Sequence, residues 1–338
     1  MAQTLGLMLL SMFITFVLLV PFIDFLYKLK LRRQKQRTVD IFDNPTPFFD
    51  KSHGWKEGTP FGGGLLIIGV VSALSLWAYG LLDVSINGWE VFVLLFTFIS
   101  FGILGFYDDL KKLVGASGKK MGLFGLRFRY KFLIQWILAF IISGIIFYQL
   151  GYNFIFIRGF GLASLGLLFI PFAAFVIVSF TNAFNIADGL DGLAPGLLLI
   201  CLGAFLAISA DQLDESLRVF TAVLMGSMVA FLYFNIYKAR IWLGDVGSLS
   251  LGAVLAVIGL LTGKILAIAF IGGVFVIEVG SSLIQILSKK FLGRKILPVS
   301  PFHLYLQKMG WDEPKIVMRA WLLGFFFAIL GLFIAFVK

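Results

Sequence analysis

The chain has 338 residues, a mean hydropathy of +0.99, 60% hydrophobic and only 14% charged residues, and a net charge of +10. A water-solvated domain of that length cannot hide so much apolar surface, so a soluble globular fold is excluded and a chain solvated by lipid is indicated. The single cysteine, Cys201, excludes an intramolecular disulfide and a multi-thiolate metal centre.

Apolar runs long enough to cross a bilayer as helices follow one another along the chain. They predict spans at 5–27, 62–82, 90–107, 131–149, 162–181, 193–210, 218–236, 247–262, 265–287 and 318–337. The first lacks the basic leader and small-residue cleavage site of a secretory signal, so it reads as a retained span. All but Arg158, Arg218, Lys264 and Lys338 of the 28 Lys and Arg residues fall in connections after odd-numbered spans. The positive-inside rule makes those connections cytoplasmic and both termini extracytoplasmic. The expected fold class is an all-α polytopic integral membrane protein of about ten transmembrane helices, one domain over 1–338. The positive charge is then a topology signal. It suits anionic lipid and calls for no nucleic acid. The connection over 288–317 regains regular polarity around Phe302–Met309, which predicts a short helix or hairpin.

Polar clusters interrupt this pattern on the cytoplasmic side only. In chain order they are HGWKEGTPFGGG from His53, FYDDLKK from Phe106, NAFNIADGLDGLA from Asn182, WLGDVGSLSLG from Trp242 and SPFHLYLQKMGWDEPK from Ser300. Clusters scattered by chance would occupy both faces, so their convergence predicts one composite active site at the cytoplasmic face. Asp108, Asp109, Asp188, Asp191 and Asp245 supply hard oxygen donors, beside only two histidines, His53 and His303. Such a set suits Mg²⁺ or Mn²⁺ and not zinc. With Lys56, Lys111, Lys112, Lys131 and Arg294 on the same face, it fits a metal–diphosphate complex at the lipid surface. Gly189, Gly192, Gly244 and Gly247 would let backbone N–H groups approach phosphate oxygens. Asp188 and Asp191, at i and i+3, would share one face of a helical turn.

Each cluster alone has a plainer reading. Asp108–Asp109 beside lysines also describes a solvated helix end, DGLDG also describes a turn, and GDVGS also describes a helix entry capped by Ser248. His303 alone is more often a packed interfacial residue than a catalytic one. Glu278, inside the ninth predicted span, must face the bundle, and a structural hydrogen bond with Gln285 is expected for it.

Together the motifs DDxxK (Asp108, Asp109, Lys112), NxxNxxDGLDGLA (Asn182, Asn185, Asp188, Asp191) and NxxxAxxxxGDxGS (Asn235 through Asp245 to Ser248) resemble the polyprenyl-phosphate sugar-1-phosphate transferases. Within that superfamily the chain is most similar to the phospho-N-acetylmuramoyl-pentapeptide transferase branch. The closer signs are HGWKEGTP, RYKFLIQ with Lys131 and Gln135, the Glu278–Ser281–Gln285 pattern, and GWDEPKIVMRAW from Gly310. The resemblance implies transfer of phospho-MurNAc-pentapeptide from UDP-MurNAc-pentapeptide to undecaprenyl or another polyprenyl phosphate in a bacterial inner membrane, by a homodimer. It implies that Asp245, with Asp108 and Asp109, binds Mg²⁺, and that these three and His303 are catalytic. It implies substrate contacts from Lys56, Thr59, Lys112, Lys131, Asn182, Asn185, Asp188, Gly189, Leu190, Asp191, Asn235, Trp242 and Ser248.

The chain departs from the family where a histidine triplet narrows to His303 followed by Leu304 and Tyr305, and where Gln307, Phe61, Phe124 and Lys238 replace the usual residues. These changes touch sugar or peptide recognition and leave the aspartates intact. A sister transferase that loads GlcNAc-1-phosphate shares the same aspartates. A transporter would carry more ionisable residues at the midplane than Glu278, and a silent lipid-binding scaffold would not need five aspartates.

Overall fold

In lipid every backbone polar group must find its partner within the chain, so apolar runs become helices. The computed structural model describes residues 2–32, 46, 48, 50, 54–81, 86–116, 128–157, 161–212 and 214–337. His53, Phe124, Arg158 and Lys338 lie outside the described residues. The helices are α1 (Ala2–Lys28), α2 (Gly63–Leu81), α3 (Gly88–Ala116), α4 (Phe128–Leu150), α5 (Phe169–Ala187), α6 (Leu193–Asp211) and α7 (Glu215–Asn235). They continue with α8 (Gly244–Leu261), α9 (Ile265–Ile271), α10 (Gly273–Leu292), α11 (Phe302–Lys308) and α12 (Glu313–Phe336). Among the described residues nine helices are long and apolar enough to cross a membrane, and the bent pair α9–α10 makes a tenth. The all-α polytopic expectation holds, as does the short helix expected near Phe302–Met309.

Two predicted spans differ from the structure. The fifth, expected over 162–181, begins only at Phe169. Before it, β1 (Phe154–Ile157) and β2 (Gly161–Ser164) form an antiparallel hairpin, with Phe154 opposite Ser164. A short apolar run does not distinguish strand from helix by pattern, and the positive φ of Gly166 resets the chain just before α5. The ninth, expected as one helix over 265–287, breaks at Gly272 and turns by 79°. Aromatic packing explains the break. A Cβ on Gly272 would run into the Phe180 ring, and one on Gly273 would lie 2.7 Å from the Phe327 ring.

Helix α8 is the axis of the bundle: every residue from Val246 to Leu261 is buried. It is approached closely through glycine, as small-residue packing in membranes requires. A Cβ on Gly247 would lie 2.9 Å from the Cα of Gly64, and one on Gly105 would overlap the Asp245 carbonyl. Helices α1 and α7 pack through Gly226 on the Met8 backbone and a hydroxyl seam. There Ser11 donates to the Val223 carbonyl at 2.7 Å, and Ser227 lies 3.0 Å from Ser11 and 2.6 Å from Thr15. Large apolar side chains on the outer faces, such as Leu322, Phe291 and Phe13, are exposed, as a lipid-facing surface requires. The packing brings the C-terminal ends of α3, α5 and α7 and the N-terminal ends of α4 and α8 to one end of the bundle.

Candidate active site

Three helix ends build a charged cluster. Asp108 and Lys112 stand one turn apart near the end of α3, Lys131 opens α4, and Asp245 lies in the first turn of α8, where the helix dipole favours a negative charge. The Asp245 Oδ2 lies 2.8 Å from the Lys112 ammonium and 2.5 Å from that of Lys131. Each lysine also reaches the Asp108 Oδ2 at 3.1 Å. Two cations thus meet two carboxylates at one end of the bundle. On the Asp245 Oδ1 side, Asn185 donates at 3.3 Å and also bonds the Ser248 hydroxyl at 2.7 Å. One turn deeper, Asn182 donates to Gln135 Oε1 at 2.8 Å and to the Val178 carbonyl at 2.7 Å.

Asp109 is turned another way. Its Oδ2 accepts the Val246 N–H at 3.1 Å, so it caps the first turn of α8 from a neighbouring helix. Among the described residues no three His, Cys, Asp or Glu side chains are grouped to hold a metal ion. Asp245 and Asp108 nonetheless offer two carboxylates to one space. That number is what Mg²⁺ usually takes from protein, with water and phosphate oxygens completing its shell. The donor chemistry fits a hard cation shared with a phosphorylated ligand.

Beside this cluster stands the turn over 188–192. The same-face expectation for Asp188 and Asp191 does not hold, because α5 ends at Ala187 and Gly192, at φ +79°, turns the chain into α6. Asp191 is buried. Its Oδ1 lies 2.8 Å from the Lys56 ammonium and its Oδ2 accepts the Ala239 N–H at 2.9 Å. Lys56, itself 1% exposed, also donates to Glu313 Oε1 at 2.6 Å and to the Gly189 carbonyl at 3.2 Å. Glu313 Oε1 accepts the Asp191 N–H at 2.6 Å, which closes a ring of contacts. Burial pushes the Asp188 carboxyl well above the usual carboxylate range; the nearby Asp245 charge adds to this and Lys56 opposes it.

The rest of the turn is held just as closely. Leu190 is buried, the Gly192 N–H donates to Asn235 Oδ1 at 3.1 Å, and the Trp321 indole donates to the Gly192 carbonyl at 3.1 Å. The Lys56 ammonium lies 4.9 Å from the centre of the Trp242 ring. The Trp242 backbone accepts the Gly62 and Gly63 N–H groups and so ties α2 to the entry of α8; Thr59 closes the turn after Lys56. His303, also buried, pairs with Glu278 at 2.9 Å. That corrects the expected Glu278–Gln285 bond: Gln285 instead accepts the Ile296 and Leu297 N–H groups, tying the end of α10 to the following loop.

The expected aspartates, Lys56, Lys112, Lys131, the asparagines and His303 therefore fall in two adjoining groups at one end of the bundle, whereas Lys111, over the Tyr107 ring, and Arg294 are exposed and join neither. Glu313 and Trp321 were not expected there. The signal for Glu313 was present: an acid at a helix start in a polar cluster, on the same face as a buried lysine needing a partner.

This fold and site define a multi-pass membrane transferase, and the profile of glycosyl transferase family 4 matches residues 91–263. The chain is 36% identical to the phospho-N-acetylmuramoyl-pentapeptide-transferase of Geobacillus thermodenitrificans, over 96% of this chain and 95% of that one. It is 34% identical to the proteins of the same name from Leptospira biflexa, over 95% and 90% of the two chains, and from Borreliella burgdorferi, over 90% and 88%. The chain belongs to the phospho-N-acetylmuramoyl-pentapeptide transferase family and is a phospho-sugar transferase.

The closeness of α3 to α8 gives a direct test of the site's geometry. Gly105→Ala places a methyl group against the Asp245 backbone and forces the two helices apart. The expected result is a loss of about 1–3 kcal/mol in stability and a fall in turnover of more than about tenfold. Thermal melting and initial rates in detergent measure both.

Proposed function

We propose that the protein transfers phospho-MurNAc-pentapeptide from UDP-MurNAc-pentapeptide to a polyprenyl phosphate, releasing UMP and forming lipid I at the cytoplasmic face of a bacterial inner membrane. The observation that carries this reading is the pair of ammonium groups, Lys112 and Lys131, shared between Asp108 and Asp245 at one end of the bundle. A diphosphate and a lipid phosphate are both anionic, and drawing them together needs fixed positive charge. An oxygen of the lipid phosphate attacks the sugar-bearing phosphorus. The bond from that phosphorus to the bridging oxygen breaks, and UMP leaves with the electron pair. Lys112 and Lys131 offset the charge on the reacting phosphates, while Asn185 and Ser248 hold Asp245 in place. The turn over 188–192 suits the nucleotide end of the donor, because Lys56, Glu313 and Asn235 hold its backbone in one shape beside the aromatic face of Trp242.

Asp245 and Asp108 are the residues that would hold Mg²⁺, with Asp109 supporting them through the start of α8. When bound, the ion supplies charge neutralisation on phosphoryl oxygens. Catalysis on this reading is positioning and electrostatics, with no covalent role for a side chain.

The sister reaction, transfer of GlcNAc-1-phosphate, is favoured only by Leu304 and Tyr305 following His303. The deciding experiment measures UMP release by purified protein in detergent with polyprenyl phosphate and Mg²⁺. It compares UDP-MurNAc-pentapeptide with UDP-GlcNAc, each with and without excess EDTA. Turnover with the first alone, abolished by EDTA and restored by Mg²⁺, is expected. Turnover with UDP-GlcNAc alone moves the protein to the sister reaction, and EDTA-resistant turnover removes the metal from the proposal.

A further inference from the structure

Glu278 lies in the second turn of α10, 3% exposed, on a helix whose outer face is solvated by lipid. A carboxylate in such a place is costly unless it is hydrogen-bonded, so its partner carries information. Its Oε2 accepts the backbone N–H of His303 at 3.5 Å and meets the His303 Nδ1 at 2.9 Å. A carboxylate oxygen has no hydrogen to give, so with Glu278 as a carboxylate the hydrogen of the second bond sits on Nδ1. The other ring nitrogen is turned toward the 188–192 turn. A Cβ on Gly189 would lie 3.1 Å from Nε2 and 3.6 Å from Cε1. Gly189 also gives its carbonyl to Lys56, and Glu313 and Trp321 fasten the far end of the same turn. The imidazole is therefore the seat beneath one end of the turn, and Glu278 fixes which way that seat faces.

We propose that Glu278 is a positioning residue for the transfer. It holds His303 with Nδ1–H bonded and Nε2 facing Gly189, and so keeps the nucleotide-side turn in the shape that receives the donor. The kinetic part rests on the function proposed above; the tautomer part does not.

The chain has two histidines, so ¹⁵N-histidine NMR in detergent observes two imidazoles, and His303→Ala assigns them. The expected result is Nδ1–H for His303 in the natural protein and in Glu278→Gln, whose amide oxygen still accepts. In Glu278→Leu the proton should move to Nε2, the position free imidazole side chains prefer. In kinetics, Glu278→Leu should raise KM for the UDP-sugar about tenfold, with KM for polyprenyl phosphate within about twofold. Glu278→Gln should restore the UDP-sugar KM to within about threefold, and adding His303→Ala to Glu278→Leu should cost little more. A His303 carrying its proton on Nε2 in the natural protein overturns the proposal. So do equal rises in both KM values, an unchanged UDP-sugar KM, or fully additive losses. Should Glu278→Leu not fold, Glu278→Asp, which withdraws the carboxylate by one methylene, supplies the same comparison. Failure of the natural protein on every UDP-sugar sinks the proposed function alone, because the tautomer measurement needs no substrate and decides Glu278 separately.

Discussion

Asp245→Asn is expected to lower UMP release by about 10³-fold while leaving the protein folded. Both ammonium groups of the charged cluster converge on one oxygen of Asp245, and its other oxygen receives Asn185. The amide has nearly the same size, so packing is preserved. It carries no charge, and either orientation loses something. With its NH₂ toward the lysines it opposes them, and with its carbonyl there it offers a neutral dipole in place of an anion. A hard cation would lose its best donor for the same reason. Folding is protected because the first turn of α8 is capped from outside by Asp109, whose bond to the Val246 N–H does not involve the substituted side chain. Melting in detergent and UMP release are the paired measurements. Mg²⁺-dependent turnover within about tenfold of the natural protein would remove Asp245 from the centre of the mechanism.

The second large effect is on stability. Lys56→Met leaves the carboxylates of Asp191 and Glu313 facing each other with side-chain exposures of 1% and 5% and no cation between them. Removing one partner of a buried ion pair costs about 3–5 kcal/mol, because the remaining charge stays desolvated. Here one lysine serves two acids, so the loss should reach that range and also loosen the 188–192 turn. Reversible unfolding in mixed micelles measures the first effect, and the KM for the UDP-sugar measures the second. Combining Lys56→Met with Glu313→Gln takes one charge out of the same space and should recover about half of the lost stability. If Lys56→Met unfolds at the same denaturant concentration as the natural protein, the ring of contacts around Lys56 does not support the site.

Much of this arrangement was legible before any coordinates. The apolar runs give the helices because in lipid no other use of such segments satisfies the backbone. The aspartates and lysines betray the site because charge near a bilayer is expensive and is kept where it serves. The parts that could not be read depend on what lies across the bundle. Nothing local marks Gly272 as a 79° break; the cause is the rings of Phe180 and Phe327, distant in sequence. The spacing of Asp188 and Asp191 suggested a shared helical face, yet α5 ends at Ala187 and Gly192, at positive φ, turns the chain into α6. Glu278 looked outward for a partner one or two turns along its own helix. It found His303 at a sequence separation of 25, after the chain had doubled back through α11.

The contact between Lys56 and Glu313 joins residues 257 positions apart. The lysine stands between the first two described spans and its second acid opens α12. The helices before α12 hold the whole Asp108–Asp245 cluster and both of its lysines. Glu313 and Trp321, which fasten the neighbouring turn, both come from α12. The 188–192 turn thus depends on α12 for its fastening, and without that helix Lys56 would keep one acid, Asp191, where it now has two.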